Sequence, residues 1–186
     1  PRQTLVTPEE PLMQSFLNNL RDDLRTYDGD WTRQGFWVMV VYRFGRWRYG
    51  LRIPFFRRAA SFFYKLSYKG VQVLTGIELP CEAAVGKGFR IDHFGGIVVS
   101  GYARFGNHCI LRNGVTVGLK NVEEPVAPVL GNHVNIGAGA KILGPIQVGD
   151  HVDIGANAVV LHDVPSHSIA VGIPARIIPK KYERSA

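Results

Sequence analysis

A six-residue period runs through the second half of the sequence and limits the possible folds more than any other feature. From position 85 to about 165, an aliphatic or small residue returns at every sixth position, often followed by Gly. An α-helix repeats near 3.6 residues and an exposed-face strand near 2, whereas hexads are typical of a parallel β-helix whose flat faces are each one hexad long. The recurring residues are Val85, Ile91, Ile97, Ala103, Cys109, Val115, Leu130, Ile136, Ile142, Val148, Ile154 and Val160.

The twelve hexads predict a triangular prism of about four coils, because three hexads close one coil. The recurring residue should point to the prism axis, and Gly or Asn should tolerate the backbone angles of the corners. Val115 and Leu130 are fifteen positions apart, which is not a multiple of six. The segment at about 121–129 is therefore predicted to leave the prism as a loop, and such a loop is usually functional.

The chain of 186 residues has room for one sizeable core and a smaller appended unit. We expect a helical region at 1–77, a β-helix domain at 78–178 and a tail at 179–186. Only two cysteines occur, Cys81 and Cys109, and the second lies at an inward hexad position. This cysteine usage, with no signal-peptide pattern in the first twenty residues, favours a reducing, cytoplasmic setting.

The basic charge is concentrated in the helical region. Residues 1–77 carry twelve Lys and Arg against six Asp and Glu, and the remainder carries ten against nine. The pattern predicts one helix over 8–27, with Thr7 as N-cap and Glu10 as its capping-box partner. A second helix is expected at about 32–48, and a third after Pro54 through about Leu66.

Aromatic residues are mixed with arginines in the second and third predicted helices. This mixture fits contact with an anionic membrane surface, and it equally fits packing on the prism or on a neighbouring subunit. Neither helix is a convincing transmembrane span, because the stretch at 36–42 provides only seven uncharged residues, against the roughly 20 that a bilayer requires. No nucleic-acid-binding motif accompanies the basic residues, so nucleic acid is not an expected partner.

His93 is the clearest candidate for chemistry. It follows the inward Ile91 by two residues, so it should face outward near a corner, and Gly95 and Gly96 leave space beside it. A neutral imidazole in this position can take a proton from an attacking hydroxyl. The other histidines lie at outward or loop positions to which we assign no role: His108, His133, His151, His162 and His167.

The ordered motifs resemble the serine acetyltransferase branch of the hexapeptide-repeat acyltransferases over about residues 78–178. The motifs are Asp-His at 92–93, Gly-Gly-Ile-Val-Val at 95–99, Gly-Val-Thr-Val-Gly at 114–118, Ile-Gly-Ala-Gly-Ala-Lys-Ile-Leu-Gly at 136–144, Ile-Gly-Ala at 154–156, Asp-Val-Pro at 163–165 and Val-Gly-Ile-Pro-Ala-Arg at 171–176.

The resemblance implies a left-handed parallel β-helix that assembles into homotrimers and binds acetyl-CoA between adjacent prisms. It makes His93 the general base, and Glu78 takes the position of the carboxylate that orients that base, where the family has Asp. Asp92 is a second carboxylate near the acceptor. Cofactor contacts are expected at Gly118, Ala138, Gly139 and Ala156, with Arg176, Lys180 and Lys181 as counter-charges for phosphates. No metal is expected.

Three departures from serine acetyltransferases decide the predicted acceptor. Those enzymes place Arg-His shortly before a Pro in the extruded loop, where the Arg holds the amino-acid carboxylate, but here Val126 and Ala127 precede Pro128. The helical region is shorter, and no Ile-terminated tail for cysteine synthase is present, so that complex is not expected.

These departures resemble the shortened members linked to exopolysaccharide, capsule or colanic-acid pathways. We therefore expect O-acetylation of a sugar or polysaccharide precursor, because a carboxylate without a cationic partner is costly to desolvate. The alternatives are serine O-acetylation and a non-catalytic scaffold. Pairing of two trimers through the helices, and attachment to the inner membrane face, stay open.

Overall fold

The computed structural model describes residues 12–121 and 123–180, which form three α-helices followed by a triangular parallel β-helix. The fold class predicted from the hexads is confirmed. Thr7, Glu10 and Lys181 lie outside the described residues. In each turn the chain passes through three sheets, named A, B and C here in the order in which they are met.

Stacked strands build each face, and all neighbouring pairs are parallel except the last pair of sheet C. Sheet A holds β1 (Ile77–Glu78), β4 (Ile97–Val99), β7 (Thr116–Gly118), β10 (Lys141–Leu143) and β13 (Val159–Val160). Sheet B holds β2 (Ala84–Val85), β5 (Arg104–Phe105), β8 (Val129–Leu130) and β11 (Gln147–Val148). Sheet C holds β3 (Arg90–Asp92), β6 (Ile110–Arg112), β9 (Asn135–Ile136), β12 (Asp153–Ile154), β14 (Ser168–Val171) and the antiparallel β15 (Arg176–Pro179).

Five strands in sheet A correspond to about five turns, so the prediction of about four coils is too low. The missing turn begins at Ile77, before the first hexad that the repeat makes visible. Each face also buries two side chains per turn instead of one, since Val134 is buried with Ile136 and Val152 with Ile154. The additional inward residue stands two positions before the recurring one, as expected for alternate residues of a strand.

A two-residue insertion interrupts the first turn. Arg90 pairs with Ile110, 20 positions later, whereas Val98 pairs with Thr116, 18 positions later. The two extra residues therefore lie at the corner between β3 and β4, within 93–96. The hexad count hides this insertion. Each strand has two inward positions, and counting six residues from Ile91, the second inward residue of its strand, reaches Ile97, the first inward residue of the next. Both residues are apolar, so the repeat looks unbroken.

A second insertion lies between β7 and β8. Phe105 pairs with Leu130, 25 positions later, which exceeds the regular 18 by seven. The chain between these strands, 119–128, starts from the corner between sheets A and B, and the predicted loop at about 121–129 is one residue too long because Val129 belongs to β8.

Four histidines form a stacked column at the corner between sheets B and C. The imidazole centroids of His108, His133, His151 and His167 are 4.7–5.0 Å apart, and the rings are within 15° of parallel. All four residues have left-handed backbones, with φ between 55° and 59°. The prediction that gave these histidines no role is therefore wrong, because each forms a corner.

The residue before each histidine ties one turn to the next. Side-chain oxygens of Asn107, Asn132, Asp150 and Ser166 accept backbone N–H groups from the preceding turn at 2.6–3.0 Å. These bonds satisfy backbone donors at a corner where the sheet ladder is interrupted.

The helices are α1 (Leu12–Thr26), α2 (Gln34–Trp47) and α3 (Pro54–Thr75), with a 3-10 turn (Arg48–Gly50) after α2. Helix α3 is longer than predicted and ends where Gly76 adopts φ 65° and donates its N–H to the Gln72 carbonyl. This left-handed glycine is a common helix C-cap. Within the described residues, no helix is both long and apolar enough to cross a bilayer.

Tyrosines of the helical region cover the open edge of the first turn. The Ile91 N–H donates to the Tyr27 hydroxyl at 2.9 Å, and the Cys81 N–H donates to the Tyr64 hydroxyl at 3.1 Å. Tyr42 accepts from the Val85 N–H at 3.2 Å and donates to the Ala83 carbonyl at 2.9 Å. An uncovered strand edge would offer these backbone groups to other chains, so the helices serve as a cap.

A buried ion pair fixes the cap. The Arg43 guanidinium contacts the Asp23 carboxylate through two hydrogen bonds, at 2.7 and 2.9 Å, and joins α2 to α1. Gly35 lets α2 approach β3, since a Cβ on this glycine would lie 2.5 Å from the Ile91 carbonyl oxygen. Packing on the prism is therefore the role of α2.

We predict that Tyr42→Phe lowers the free energy of unfolding by about 2 kcal/mol, because it leaves the Val85 N–H and the Ala83 carbonyl without partners. Urea unfolding followed by circular dichroism measures the change. Tyr102→Phe is the matched control, since this side chain is 60% exposed, and it should change stability by less than about 0.5 kcal/mol. Equal effects of both substitutions would contradict the capping role.

Candidate active site

His93 stands on the two-residue insertion at the corner between β3 and β4, called the C–A corner here. Its side chain is exposed, and its backbone is left-handed with φ 64°. The neighbouring Phe94 is also exposed. The insertion therefore lifts an imidazole away from the regular corner, where it is accessible to a second reactant.

Glycines hold the His93 loop tightly between the adjacent turns. A Cβ on Gly76 would lie 3.2 Å from the Gly95 Cα, and the Gly114 N–H donates to the Gly95 carbonyl at 2.9 Å. Within 12–121 and 123–180, no hydrogen bond or ion pair to the His93 imidazole is found. The loop backbone is fixed, while the ring keeps both nitrogens available.

Glu78 lies on sheet A beside this loop, next to Val98 in the strand register. Burial, followed by the hydroxyl's proximity to the negative charge of Glu78, raises the pKa of Tyr68 to about 12. Glu78 is therefore close enough to α3 for its charge to act on Tyr68. No hydrogen bond joins it to His93 among the described side chains, so its orienting role stays a prediction.

Asp92 is engaged by its own strand. Its carboxylate accepts a hydrogen bond of 2.6 Å from the Arg90 Nε, and both side chains are partly exposed. Arg90 also reaches Asp28 at 3.8 Å. Asp92 is thus already paired with a cation beside His93, which suits it to shape the local field more than to accept a proton.

The small residues predicted to contact the cofactor divide between two corners. Ala138, Gly139 and Ala156 lie at the C–A corner of later turns, in line with His93. Because neighbouring strands are about 4.8 Å apart, Ala156 lies roughly 14 Å along the prism from His93. Gly118 ends β7 at the opposite edge of sheet A.

The predicted cationic contacts are separated as well. Arg176 begins β15 and pairs with Val171, at the C–A end of sheet C. Lys180 lies at the other end, where its Nζ contacts the Asp153 Oδ2 at 2.8 Å and its N–H donates to the His167 carbonyl. Of these two residues, only Arg176 is brought to the edge that carries His93.

Sequence reasoning missed Lys141. Its ammonium donates to the Gly114 carbonyl at 2.6 Å and to the Thr116 hydroxyl at 3.1 Å. Since Gly114 bonds to the loop at Gly95, this charge lies one turn from the His93 loop. The available signal was a lysine at an outward position of sheet A, within the motif at 136–144.

The extruded loop does not face His93 within one chain. It starts at the A–B corner, on the other side of sheet A from the C–A corner. The two corners are roughly 16 Å apart, since the chain from Val115 to Lys120 crosses the sheet at about 3.3 Å per residue. Val126 is 51% exposed, but Ala127 is only 4% exposed and joins the core. The position at which serine acetyltransferases have Arg is therefore exposed here, as Val126, whereas the following position, where they have His, belongs to the core as Ala127.

The described part of the chain contains no group of three or more His, Cys, Asp and Glu side chains that could hold a metal ion. Burial raises the pKa of the Cys109 thiol to about 11, which makes this inward cysteine a poor nucleophile. His93 therefore remains the predicted candidate for chemistry at the C–A corner.

An exposed imidazole on a hexapeptide-repeat prism defines the class of protein. Residues 127–162 match the family described as Bacterial transferase hexapeptide (six repeats). The solved structure of a serine acetyltransferase from Brucella abortus strain S19 in complex with coenzyme A superposes with a TM-score of 0.77 and 28% identity, over 92% of this chain and 72% of that one.

Similar curated proteins point to one family within the hexapeptide-repeat transferases. The serine acetyltransferase of Helicobacter pylori strain J99 is 40% identical over 147 residues, which are 78% of this chain and 82% of that protein. The serine acetyltransferase of Synechococcus elongatus is 42% identical over 145 residues, which are 77% of this chain. The chain spans 57% of the length of that protein. The chain belongs to the serine acetyltransferase family of hexapeptide-repeat transferases.

The family relation corrects the predicted acceptor. O-acetylation of a sugar or polysaccharide precursor is wrong as the main prediction, because the curated relatives and the similar structures are serine acetyltransferases. The comparisons also give no support to the shortened polysaccharide-linked subgroup. The prediction depended on the absence of Arg at position 126, where the exposed Val126 indeed offers no cation, so it is the family relation that overturns the predicted acceptor.

We predict that alanine lowers the stability of the protein at one glycine of the site and leaves it unchanged at another. Gly139→Ala should lower the free energy of unfolding by about 1–2 kcal/mol or more, because its backbone has φ 74° and a Cβ would overlap the Asn157 Oδ1. Gly118→Ala should leave it nearly unchanged, since no described atom beyond its two chain neighbours lies within 4 Å of its Cβ position. Thermal unfolding compares the two variants.

Gly139→Ala combined with Asn157→Gly, which removes the overlapping side chain and tolerates the left-handed backbone at 157, should recover only the part of the loss that comes from the overlap. Equal stability of the Gly139→Ala variant and the unsubstituted protein would contradict the strained-corner assignment.

Proposed function

We propose that the protein is a serine O-acetyltransferase that uses acetyl-CoA. The observation that carries this proposal is 40% identity to a serine acetyltransferase across 82% of that protein's length. The exposed His93 supports it, because O-acetylation requires a base that can reach a hydroxyl. The alternative prediction of the sequence analysis thus becomes the main one.

His93 would act as the general base. It takes the proton of the serine hydroxyl while that oxygen attacks the thioester carbonyl of acetyl-CoA, forming a tetrahedral oxyanion. When the intermediate collapses, the C–S bond breaks, and the imidazolium returns the proton to the departing sulfur. The products are O-acetylserine and CoA, and the protein is restored.

The two carboxylates near His93 would have different tasks. Glu78 has no described partner of its own, so it is free to accept the second imidazole N–H and stabilise the imidazolium. Asp92 would stay paired with Arg90 and attract the amino group of the acceptor through its remaining negative field.

Acetyl-CoA would lie along the C–A edge. Ala138, Gly139 and Ala156 leave main-chain groups accessible there, and Arg176 offers a counter-charge for phosphate. Lys180 would contribute only after leaving Asp153, and Gly118 would contribute from the opposite edge of sheet A. Contacts with Ala138, Gly139, Ala156 and Arg176 would bring the thioester to the edge that carries His93.

A homotrimer would complete the site. Within one chain the extruded loop and His93 lie at different corners, so the loop of one subunit can approach His93 only from a neighbouring prism. Trimeric assembly, as in the hexapeptide-repeat family, supplies this arrangement. Exposed apolar side chains on the prism, including Val98, Val126 and Val129, are available for subunit contact.

The serine carboxylate needs a cation that the extruded loop does not supply. Lys141 is suited to this task, because an ammonium has three donors and only two are used, by Gly114 and Thr116. We assign it as the carboxylate partner at the His93 corner.

The first functional prediction is acetyl-CoA-dependent transfer to l-serine, with loss of roughly 10²- to 10⁴-fold in turnover for His93→Ala. Release of free CoA, followed with a thiol reagent, measures the turnover of the wild type and of the variant. The affinity of the variant for CoA should stay nearly unchanged. His133→Asn is the control, because Asn tolerates the left-handed backbone of that distant corner.

Two outcomes would contradict the assignment. A wild-type protein that acetylates saccharides and leaves l-serine unchanged would exclude serine as the acceptor. A folded His93→Ala variant with nearly full turnover would exclude the imidazole as the base.

A second functional prediction concerns Lys141. Lys141→Met should raise the KM for l-serine by roughly tenfold or more, with a smaller change in the KM for acetyl-CoA, because a charge-assisted bond to the acceptor is lost. Thr116→Val is the matched control, since it removes one hydrogen bond of the same ammonium and keeps its charge.

Initial rates at varied l-serine and acetyl-CoA separate the two KM values. Equal changes in both KM values for Lys141→Met, or the same change for Thr116→Val, would assign Lys141 a purely structural role.

A further inference from the structure

Helix α3 leaves a broad apolar surface uncovered. Its exposed side chains follow two adjacent stripes, in which residues recur at intervals of seven, four or eleven positions, as neighbours on one helix face do. The first stripe is Phe55, Phe62, Leu66 and Val73, and the second is Phe56, Phe63 and Leu74. We call these seven residues the α3 face; each is at least 57% exposed.

The opposite side of α3 is attached to the cap by a narrow contact. Ala60, Tyr64 and Thr75 are its buried residues, and the Tyr64 hydroxyl accepts the Cys81 N–H. The helix is therefore held in place by one side, and the α3 face is turned away from the prism. Exposed apolar patches of this kind mark interaction sites.

A cationic stripe borders the α3 face. Arg58, Lys65 and Lys69 recur at intervals of seven and four, and they lie beside the Phe62 stripe. The 22 residues of α3 include no Asp or Glu. Among the described residues, none of these three cations forms an ion pair.

A shallow groove lies at this border. It has a volume of about 310 Å³ and is lined by Arg57, Arg58, Ser61, Phe62 and Lys65. The groove thus has three cations, Arg57, Arg58 and Lys65, beside the Phe62 ring. Such a groove suits a phosphate group joined to an apolar chain, because guanidinium and ammonium groups bind phosphate oxygens while the ring contacts hydrocarbon.

We propose that α3 binds the surface of an anionic lipid bilayer and lies in the plane of that surface. The α3 face enters the boundary between headgroups and acyl chains, and Arg58, Lys65 and Lys69 contact lipid phosphates. This geometry is that of an interfacial amphipathic helix, with an apolar face, a cationic border and no acidic residue.

Charge complementarity favours lipid over a second copy of the chain. A second α3 face brings the same cationic stripe and no acidic residue, so pairing of two copies offers these charges no partner. Anionic headgroups provide the missing negative charge. The proposal concerns a surface separate from the His93 corner and does not depend on the acceptor of acetyl transfer.

Vesicle flotation tests the proposal with the full chain. The vesicles contain phosphatidylcholine alone, or phosphatidylcholine with about one third phosphatidylglycerol. We expect the protein to float with the anionic vesicles at low salt, and to float less at roughly 0.5 M salt, because screening weakens the cationic contacts. Binding only to neutral vesicles would contradict the role of the cations.

Two double variants separate the apolar and charged contributions. Phe55→Ser with Phe62→Ser should weaken binding to anionic vesicles by at least roughly tenfold. Arg58→Gln with Lys65→Gln should weaken it roughly 30-fold. The matched control is Tyr102→Ser with Arg104→Gln, which removes an exposed aromatic residue and a cation from the prism and should bind like the wild type.

Circular dichroism and light scattering accompany each variant, so that folding and mass are known. A wild-type protein that fails to float with either vesicle type overturns the proposal. Light scattering could instead show a particle of twice the expected mass that returns to the expected mass in the Phe55→Ser and Phe62→Ser variant. This result would assign the α3 face to contact with a second copy of the chain. Neither result changes the acetyl-transfer assay, so the two proposals fail separately.

Discussion

Backbone hydrogen bonding between successive turns is the constraint on which the rest of the structure depends. Each turn can pass its N–H and C=O groups to the next only if the chain bends at the same places every 18 residues, and the bends require left-handed backbones. Gly114, Gly139 and Asn157 satisfy this at one corner, and the stacked histidines satisfy it at another. The apolar core follows from this regularity, because two side chains per face are turned to the same axis in every turn.

The register also explains where irregular segments can occur. Extra residues inside a strand would break its pairing with the neighbouring turns, and an odd number would also turn its inward side chains outward, so insertions are accommodated at corners. Both insertions of this chain follow that rule: two residues at 93–96 and seven between β7 and β8. The first turn has an additional requirement, since its edge has no preceding turn. Tyr27, Tyr42 and Tyr64 supply hydrogen-bonding partners there, which makes the helical region part of the β-helix's stability.

Much of this architecture could be predicted from the sequence, because a six-residue period has few structural solutions. The period identified Ile91, Ile136 and Ile154 as inward residues, and all three are buried. The insertion at 93–96 was hidden because each strand has two inward apolar positions, and the six-residue count shifts from one position to the other without meeting a polar residue. The histidine column was missed because stacking depends on residues 16–25 positions apart, which no local pattern displays. The acceptor was mispredicted because the absence of a cation at Val126 was taken to exclude serine, although cations from other elements, such as Lys141 one turn from the His93 loop, cannot be placed from the sequence.

The position of His93 on surplus chain has a consequence for how such a protein can change. The prism needs one left-handed residue at that corner, and the later turns achieve this with two fewer residues. The imidazole is therefore carried by chain that the solenoid does not require for its own closure. A scaffold of this kind separates durability from reactivity: the repeat maintains the architecture, while the outward side chain at 93 can vary in chemistry on a loop backbone that Gly76 and Gly114 hold in place.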